Sequence, residues 1–218
     1  MDEETKHLLA VREERRQGSI RANKRDAAPV LAELTEAGYM IDAVEYLYIN
    51  KLNYKSAIPI LLKWLPLIDN LAVKEAIVRA LTVPWAKPIA APALLAEYHK
   101  LENESDIGIK WAIANALEVV ADDNSYDQIV NFVQDPRNGS SRQMLTLALG
   151  NMKNPHAQNV LLALLDDDQV AGHAIIALGK LRSIKAYDAI EKFTNHPRTW
   201  VRKEAKRALT RIEKVKTK

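Results

Sequence analysis

Nine basic side chains crowd the last 21 residues of this 218-residue chain: Arg198, Arg202, Lys203, Lys206, Arg207, Arg211, Lys214, Lys216 and Lys218, against Glu204 and Glu213. The net charge there is +7, beside +2 over residues 1–25 and −6 over 26–197, within a total of +3. Cations at this density can hold phosphate or carboxylate groups, with Arg202, Lys203, Lys206, Arg207 and Arg211 as the candidate basic patch. The same residues would also make a solvated polar cap on the end of a repeat array. The cap is the preferred reading, because only Trp200 interleaves the cluster with an aromatic ring. A second group centres on Trp111, with Asn115 one helical turn later. Together with Glu75, Arg79, Glu118 and Gln143 they are a candidate partner-binding groove, since aromatic and Arg side chains are the usual energetic centres of interfaces.

Other chemistry has little to work with. The absence of cysteine excludes disulfides, thiolate metal sites and a cysteine nucleophile. His7, His99, His156, His173 and His196 show no metal-ligand spacing. The run Asp166-Asp167-Asp168 lacks the alternating ligands and closing Glu of a calcium loop, and Asp168 reads instead as a helix N-cap. There is no phosphate-binding glycine loop, no nucleophile elbow and no paired His–Glu motif. The expectation is a protein that is not an enzyme, with no catalytic residue, cofactor or metal.

The elements that must position these residues are repeats. Five nine-residue segments align without gaps: 73–81, 109–117, 141–149, 170–178 and 201–209. Counting each from zero, positions 0, 4, 7 and 8 are apolar or small, which is one face of a helix. Position 7 is Ala in all five (Ala80, Ala116, Ala148, Ala177 and Ala208), small enough to let a neighbouring helix come close. A degenerate copy at 40–48 keeps Met40, Val44, Leu47 and Tyr48 at the matching places. Each segment follows another apolar helix, at 57–65, 90–98, 126–133, 157–165 and 186–193, with a first one at 28–34. The repeat length of about 30 residues holds two short helices and two turns. Pro29, Pro59, Pro88 and Pro155 mark helix starts, Pro92 lies deeper and is expected to kink its helix, and Gly150 and Gly179, each following the terminal Leu of its segment, are expected to reverse the chain there.

In this register Trp111 is at position 2, where the other copies hold Glu75, Gln143, Gly172 and Lys203. It is therefore either an intruder into the core or an exposed anchor. Position 1 is basic in four copies (Lys74, Lys110, Arg142 and Arg202), expected to pair within the array with acids such as Asp69, Asp106 and Asp135.

The stretches 161–181 and 196–209 resemble the HEAT-like repeat named after phycobilin lyases, and the resemblance covers about residues 26–215. It implies an all-α, right-handed α-solenoid of about six helix pairs at 26–215, preceded by a charged capping segment at 1–25 and followed by a basic tail at 216–218. Such repeats serve scaffolds, regulators and a few enzymes alike. Trp111 and Asn115 are similar in spacing to the Trp–Asp pair in the groove of HEAT-like alkyl-base DNA glycosylases. Asn115 cannot carry the charge that such chemistry needs. The His–Glu dipeptides of the deoxyhypusine-hydroxylase type are missing too.

Two functions follow as expectations. The first is a non-catalytic scaffold or regulator whose groove binds another protein; the acidic body and mixed-sign groove favour it. The alternative is a nucleic-acid-binding solenoid, glycosylase-like or attached through its basic C-terminal end. The N-terminus, Met1 to His7, is acidic and mixed, without an apolar signal core after it. No uncharged run reaches the roughly 18 residues a membrane helix needs, so a soluble, cytoplasmic protein without membrane partners is expected.

Overall fold

The computed structural model describes residues 2–101 and 107–216. Among them every regular element is helical and there is no strand. No helix of the described residues is long and apolar enough to cross a membrane. The contacts divide the chain into two compact units, Met1–Leu81 and Thr82–Lys218. The division falls inside the array expected over 26–215.

The first unit holds α1 (Glu3–Glu36), α2 (Tyr46–Ile49), α3 (Ile58–Trp64) and α4 (Leu71–Leu81). The Asp2 carboxylate caps α1 by accepting from the Thr5 N–H at 2.7 Å, with Glu3 and Glu4 in the first turn, where the helix dipole favours anions. The helix runs unbroken through residue 25, so the charged N-terminal segment and the first apolar helix are one element. Only Ala27, Val30 and Leu34 of it are buried, where α1 packs on α3 and α4. It ends in a Schellman motif: Gly38 adopts φ +92, its N–H bonds the Thr35 carbonyl, and the Tyr39 N–H bonds that of Leu34. Pro29, expected at a helix start, lies inside α1. The degenerate copy is shorter than its pattern. Helix resumes only at Tyr46, so Met40 sits in the connection, 82% exposed, while Val44 and Leu47 are buried.

The second unit is built from α5 (Ala91–Lys100), α6 (Ile107–Val120), α7 (Tyr126–Gln134), α8 (Ser141–Leu149), α9 (Ala157–Ala163), α10 (Ala171–Leu181), α11 (Tyr187–Glu191) and α12 (Thr199–Lys216). Each odd-numbered helix packs on the even-numbered one that follows it, and α6, α8, α10 and α12 each pack on the next. The expected core positions are filled as the pattern requires: positions 0, 4, 7 and 8 are buried in α4, α6, α8, α10 and α12, including Ser141 at position 0 of α8. Position 5 is buried as well, as Val78, Ala114, Thr146 and Ile175. In the second unit a helix with neighbours on more than one side must bury a wider stripe than a singly packed one. The Thr146 hydroxyl is satisfied by the Arg142 carbonyl at 2.8 Å.

Gly150 and Gly179 do something other than reverse the chain. Gly150 has φ −70, Gly179 lies within α10, and the left-handed residue after α10 is Arg182 at φ +53. A Cβ on Gly150 would stand 2.7 Å from the Cβ and 2.8 Å from the Cα of Ala177; on Gly179 it would stand 2.6 and 2.8 Å from the same atoms of Ala208. At Ala177 and Ala208 the alanine of position 7 thus seats against a glycine at the end of the preceding repeat helix, and the close approach there depends on both. Pro92 falls in the first turn of α5, as Pro59 does in α3, so it starts its helix rather than kinking it. Asp168 is not the N-cap of α10, whose start has no side-chain cap; Asp167 instead accepts from the Gln169 N–H at 2.9 Å in the preceding turn.

Candidate functional site

α6, α8 and α10 pack in succession, so residues outside their core stripes can form a shared surface. Positions 2, 3 and 6 lie off the 0, 4, 7 and 8 stripe, although Ala112 at position 3 of α6 and Gly172 at position 2 of α10 are buried. In the second unit they carry Trp111 and Asn115 on α6, Gln143, Met144 and Leu147 on α8, and His173 and Ile176 on α10, all half-buried. Trp111 is neither closed into the core nor fully exposed, and Met144, Leu147 and Ile176 hold nearby register positions on the two helices that follow in the packing order. This grouping is legible in the sequence only after the fact, because Met144, Leu147 and Ile176 are ordinary helix residues until their neighbours are known.

The other expected groove residues have local duties. The Asn151 amide donates to the Glu118 carbonyl at 2.7 Å and carboxylate at 3.0 Å, and Lys180 donates in turn to Asn151. Glu118 therefore ties α6 to the end of α8 and, through Asn151, to α10. Gln143 donates to the Gln169 carbonyl at 3.3 Å. Glu75 and Arg79 belong to the first unit, where they form an i,i+4 ion pair on α4 at 2.6 Å.

Three of the position-1 cations, Lys110, Arg142 and Arg202, bond within the second unit. Arg142, 3% exposed, donates from Nε to the Val133 carbonyl at 2.7 Å and from Nη2 to Asp167 at 2.6 Å. Burial pushes the Asp167 carboxyl up, but the Arg142 guanidinium and the Gln169 N–H pull harder and leave it below the usual carboxylate value. Asp135, expected as a partner for such a cation, pairs instead with Arg137 at 2.7 Å. Lys110 donates to the Leu101 carbonyl at 2.9 Å and lies 5.3 Å over the Tyr98 ring. Arg202 donates to the carbonyls of His196 and Pro197 at 2.7 and 2.8 Å, which removes it from the exposed basic patch. Lys203, Lys206, Arg207 and Arg211 remain exposed, and Lys214 joins them. Asp106 and the tail residues 217–218 lie outside the described residues, as does the Lys216 side chain.

Two features lay beyond sequence reasoning. A cleft of about 350 Å³ is lined by Tyr98, His99, Leu101, Lys110, Phe132, Asp135, Arg137 and Asn138. Its wall is a Tyr98–Phe132 ring contact with centroids 4.6 Å apart, and burial pushes the Tyr98 hydroxyl, bonded to Ser141 at 2.6 Å, up to about 12. No local pattern links residues 98 and 132. The second feature is Trp200, whose ring lies over Gly172, in the space a Cβ would need, with its centroid 5.5 Å from that of His173. Gly172 breaks the polar pattern of position 2 to make room for it.

His173 is held in this apolar setting with Nδ1 buried and, among the described residues, without a hydrogen-bond partner. Burial lowers its pKa from 6.5, so the folded state keeps the ring neutral where the unfolded chain would already protonate it. Stability gained this way is complete well above pH 6.5 and is lost as pH falls through that value toward the lower folded pKa. Unfolding free energies from urea titrations at pH 8 and pH 5.5 should fall further for the parent than for His173→Phe, by up to about 1.4 kcal/mol per pH unit within the window. Equal acid sensitivity of the two proteins would contradict it.

Comparison with family models, with curated proteins and with solved structures finds no match.

Proposed function

We propose that the chain is a non-catalytic binding protein, a scaffold or regulator built as a HEAT-like solenoid, whose protein partner seats on the face of the second unit that carries Trp111. The observation that carries this reading is the half-buried indole at position 2, outside the 0, 4, 7 and 8 stripe, on the first of three successively packed helices, α6, α8 and α10, the other two of which carry half-buried Met144, Leu147 and Ile176 at positions 3 and 6. A partner covering this face would remove apolar surface from water at a fixed, helix-borne array of side chains, the arrangement from which interface hot spots are made. The successive packing of α6, α8, α10 and α12 supports the solenoid part of the reading.

The test uses a photo-crosslinking residue at Asn115, with a control at the exposed Asn131 on α7. Position 115 should capture a protein in native extract, with or without nuclease, and position 131 should not. Trp111→Ala should abolish that capture and weaken binding by about 2 kcal/mol or more, roughly thirtyfold, while costing little folding stability. A loss of roughly 3–5 kcal/mol in urea unfolding, with binding intact once the chain is folded, would assign Trp111 to packing instead.

A further inference from the structure

The outer face of α12 differs from that of every other helix in the second unit. Its inner face is apolar and closed: Val201, Ala205, Ala208, Leu209 and Ile212 are all buried. Its outer face carries Lys203, Lys206, Arg207, Arg211 and Lys214, all exposed, with Thr210 among them. At 100° per residue these five cations fall within a sector of about 140°, and at 1.5 Å per residue they extend over about 16 Å. The two acids of the helix stand at the sector's edges and are engaged there. Glu204 pairs with Arg207, and Glu213 accepts from the Tyr187 hydroxyl at 2.8 Å. Among the described residues Lys203, Lys206, Arg211 and Lys214 have no acidic side chain in ion-pair contact.

A helix that only needs a polar outer face is served as well by mixed signs, which also add favourable i,i+4 pairs. Like charges spaced three and four residues apart repel instead, so a single-sign stripe is a local cost that a polyanion would reverse. The one large apolar side chain in this sector among the described residues is Trp200, 42% exposed at the start of α12 with its ring turned onto Gly172, so the stripe from Lys203 to Lys214 has no apolar side chain with which to enter a lipid interface. Its cations form a band on one side of the helix, with neighbours three and four residues apart at steps of about 5–6 Å, suited to a regularly charged polymer. Its length exceeds the roughly 12 Å width of a duplex major groove, so a helix laid across the groove reaches phosphates on both sides.

We propose that α12 is a sequence-independent docking helix for the phosphate backbone of duplex nucleic acid. This site is separate from the protein-binding face and stands or falls independently of it. Binding here reads phosphate charge and carries no base specificity.

The experiment is fluorescence anisotropy of the full chain with a labelled 20-base-pair DNA duplex over 50–200 mM salt. Five phosphate contacts give an expected slope of log affinity on log salt of about −4.5. Lys203→Gln, Arg207→Gln and Lys214→Gln combined should bring the slope to about −1.8. The matching triple change on α1, Arg12→Gln, Arg15→Gln and Arg21→Gln, should leave it unchanged. Circular dichroism melting verifies that both variants are folded, as expected for substitutions at exposed positions. The proposal fails if the duplex does not bind at 50 mM salt, if the α1 variant and not the α12 variant loses binding, or if poly-glutamate or anionic vesicles bind at α12 while the duplex does not.

Discussion

Replacing Arg142 with methionine is expected to destabilise the chain by roughly 2–4 kcal/mol, because the guanidinium is the buried junction of three elements. Its side chain is 3% exposed on α8, and it reaches back to the last turn of α7 at Val133 and forward to the turn before α10 at Asp167. Methionine fills most of the volume but donates nothing. The Val133 carbonyl loses its side-chain donor, and a carboxylate held below its usual pKa by this cation loses its partner. Asp167 is about one-third exposed, and water would recover part of its loss, which places the figure below that for a fully buried pair. Arg142→Lys, with one compact ammonium in place of a fork, should satisfy one of the two acceptors and fall between. Urea unfolding measures all three proteins. A methionine variant within about 0.5 kcal/mol of the parent would show that the junction carries no stability.

The second large effect is expected at the glycine–alanine contacts. Gly179→Ala should cost roughly 1–3 kcal/mol although alanine is the better helix former by about 1 kcal/mol. The added methyl would stand 2.8 Å from the Ala208 backbone, which a rotamer change cannot relieve, so α10 and α12 must separate. Gly150→Ala should act alike at the contact of α8 with α10, where Ala177 is the obstacle. The discriminating measurement is the size exchange: Gly179→Ala with Ala208→Gly moves the methyl to the other helix and should recover much of the loss in thermal or urea unfolding. A double variant no better than the sum of its parts would mean that contact between these two residues is not the cause.

These two predictions rest on different kinds of information. The Gly–Ala contact was half written in the sequence. Alanine recurs at position 7 because a period of 3.6 makes that position face a neighbour, and that neighbour demands a small side chain. What the smallness serves could not be read, and the two glycines looked like chain reversers because they follow the last apolar residue of each segment. Arg142 shows the converse. Its basic type at position 1 was legible, but the nearest acid along the chain, Asp135, was a poor guide, since Arg137 occupies it and the turn carrying Asp167 arrives from 25 residues away.

The sequence by itself determined that the described chain is helical, where most of the paired helices lie, and which side chains close the core at positions 0, 4, 7 and 8. Those properties are local: hydrophobic period, segment length and turn residues set them before any tertiary contact exists. It did not determine the length of the first helix, which passes through Pro29, nor the collapse of the degenerate copy to a single turn after Gly38. Only the tertiary structure decided which polar residues were already engaged. Glu118, Gln143 and Arg202 are half-buried and engaged by groups 26–33 or 5–6 residues away, Trp111 and Asn115 are half-buried as well, and the cations on the outer face of α12 remain exposed. A side chain's type says what it can bind, but its availability depends on which backbone carbonyls and carboxylates the packing of other helices brings within 3 Å of it.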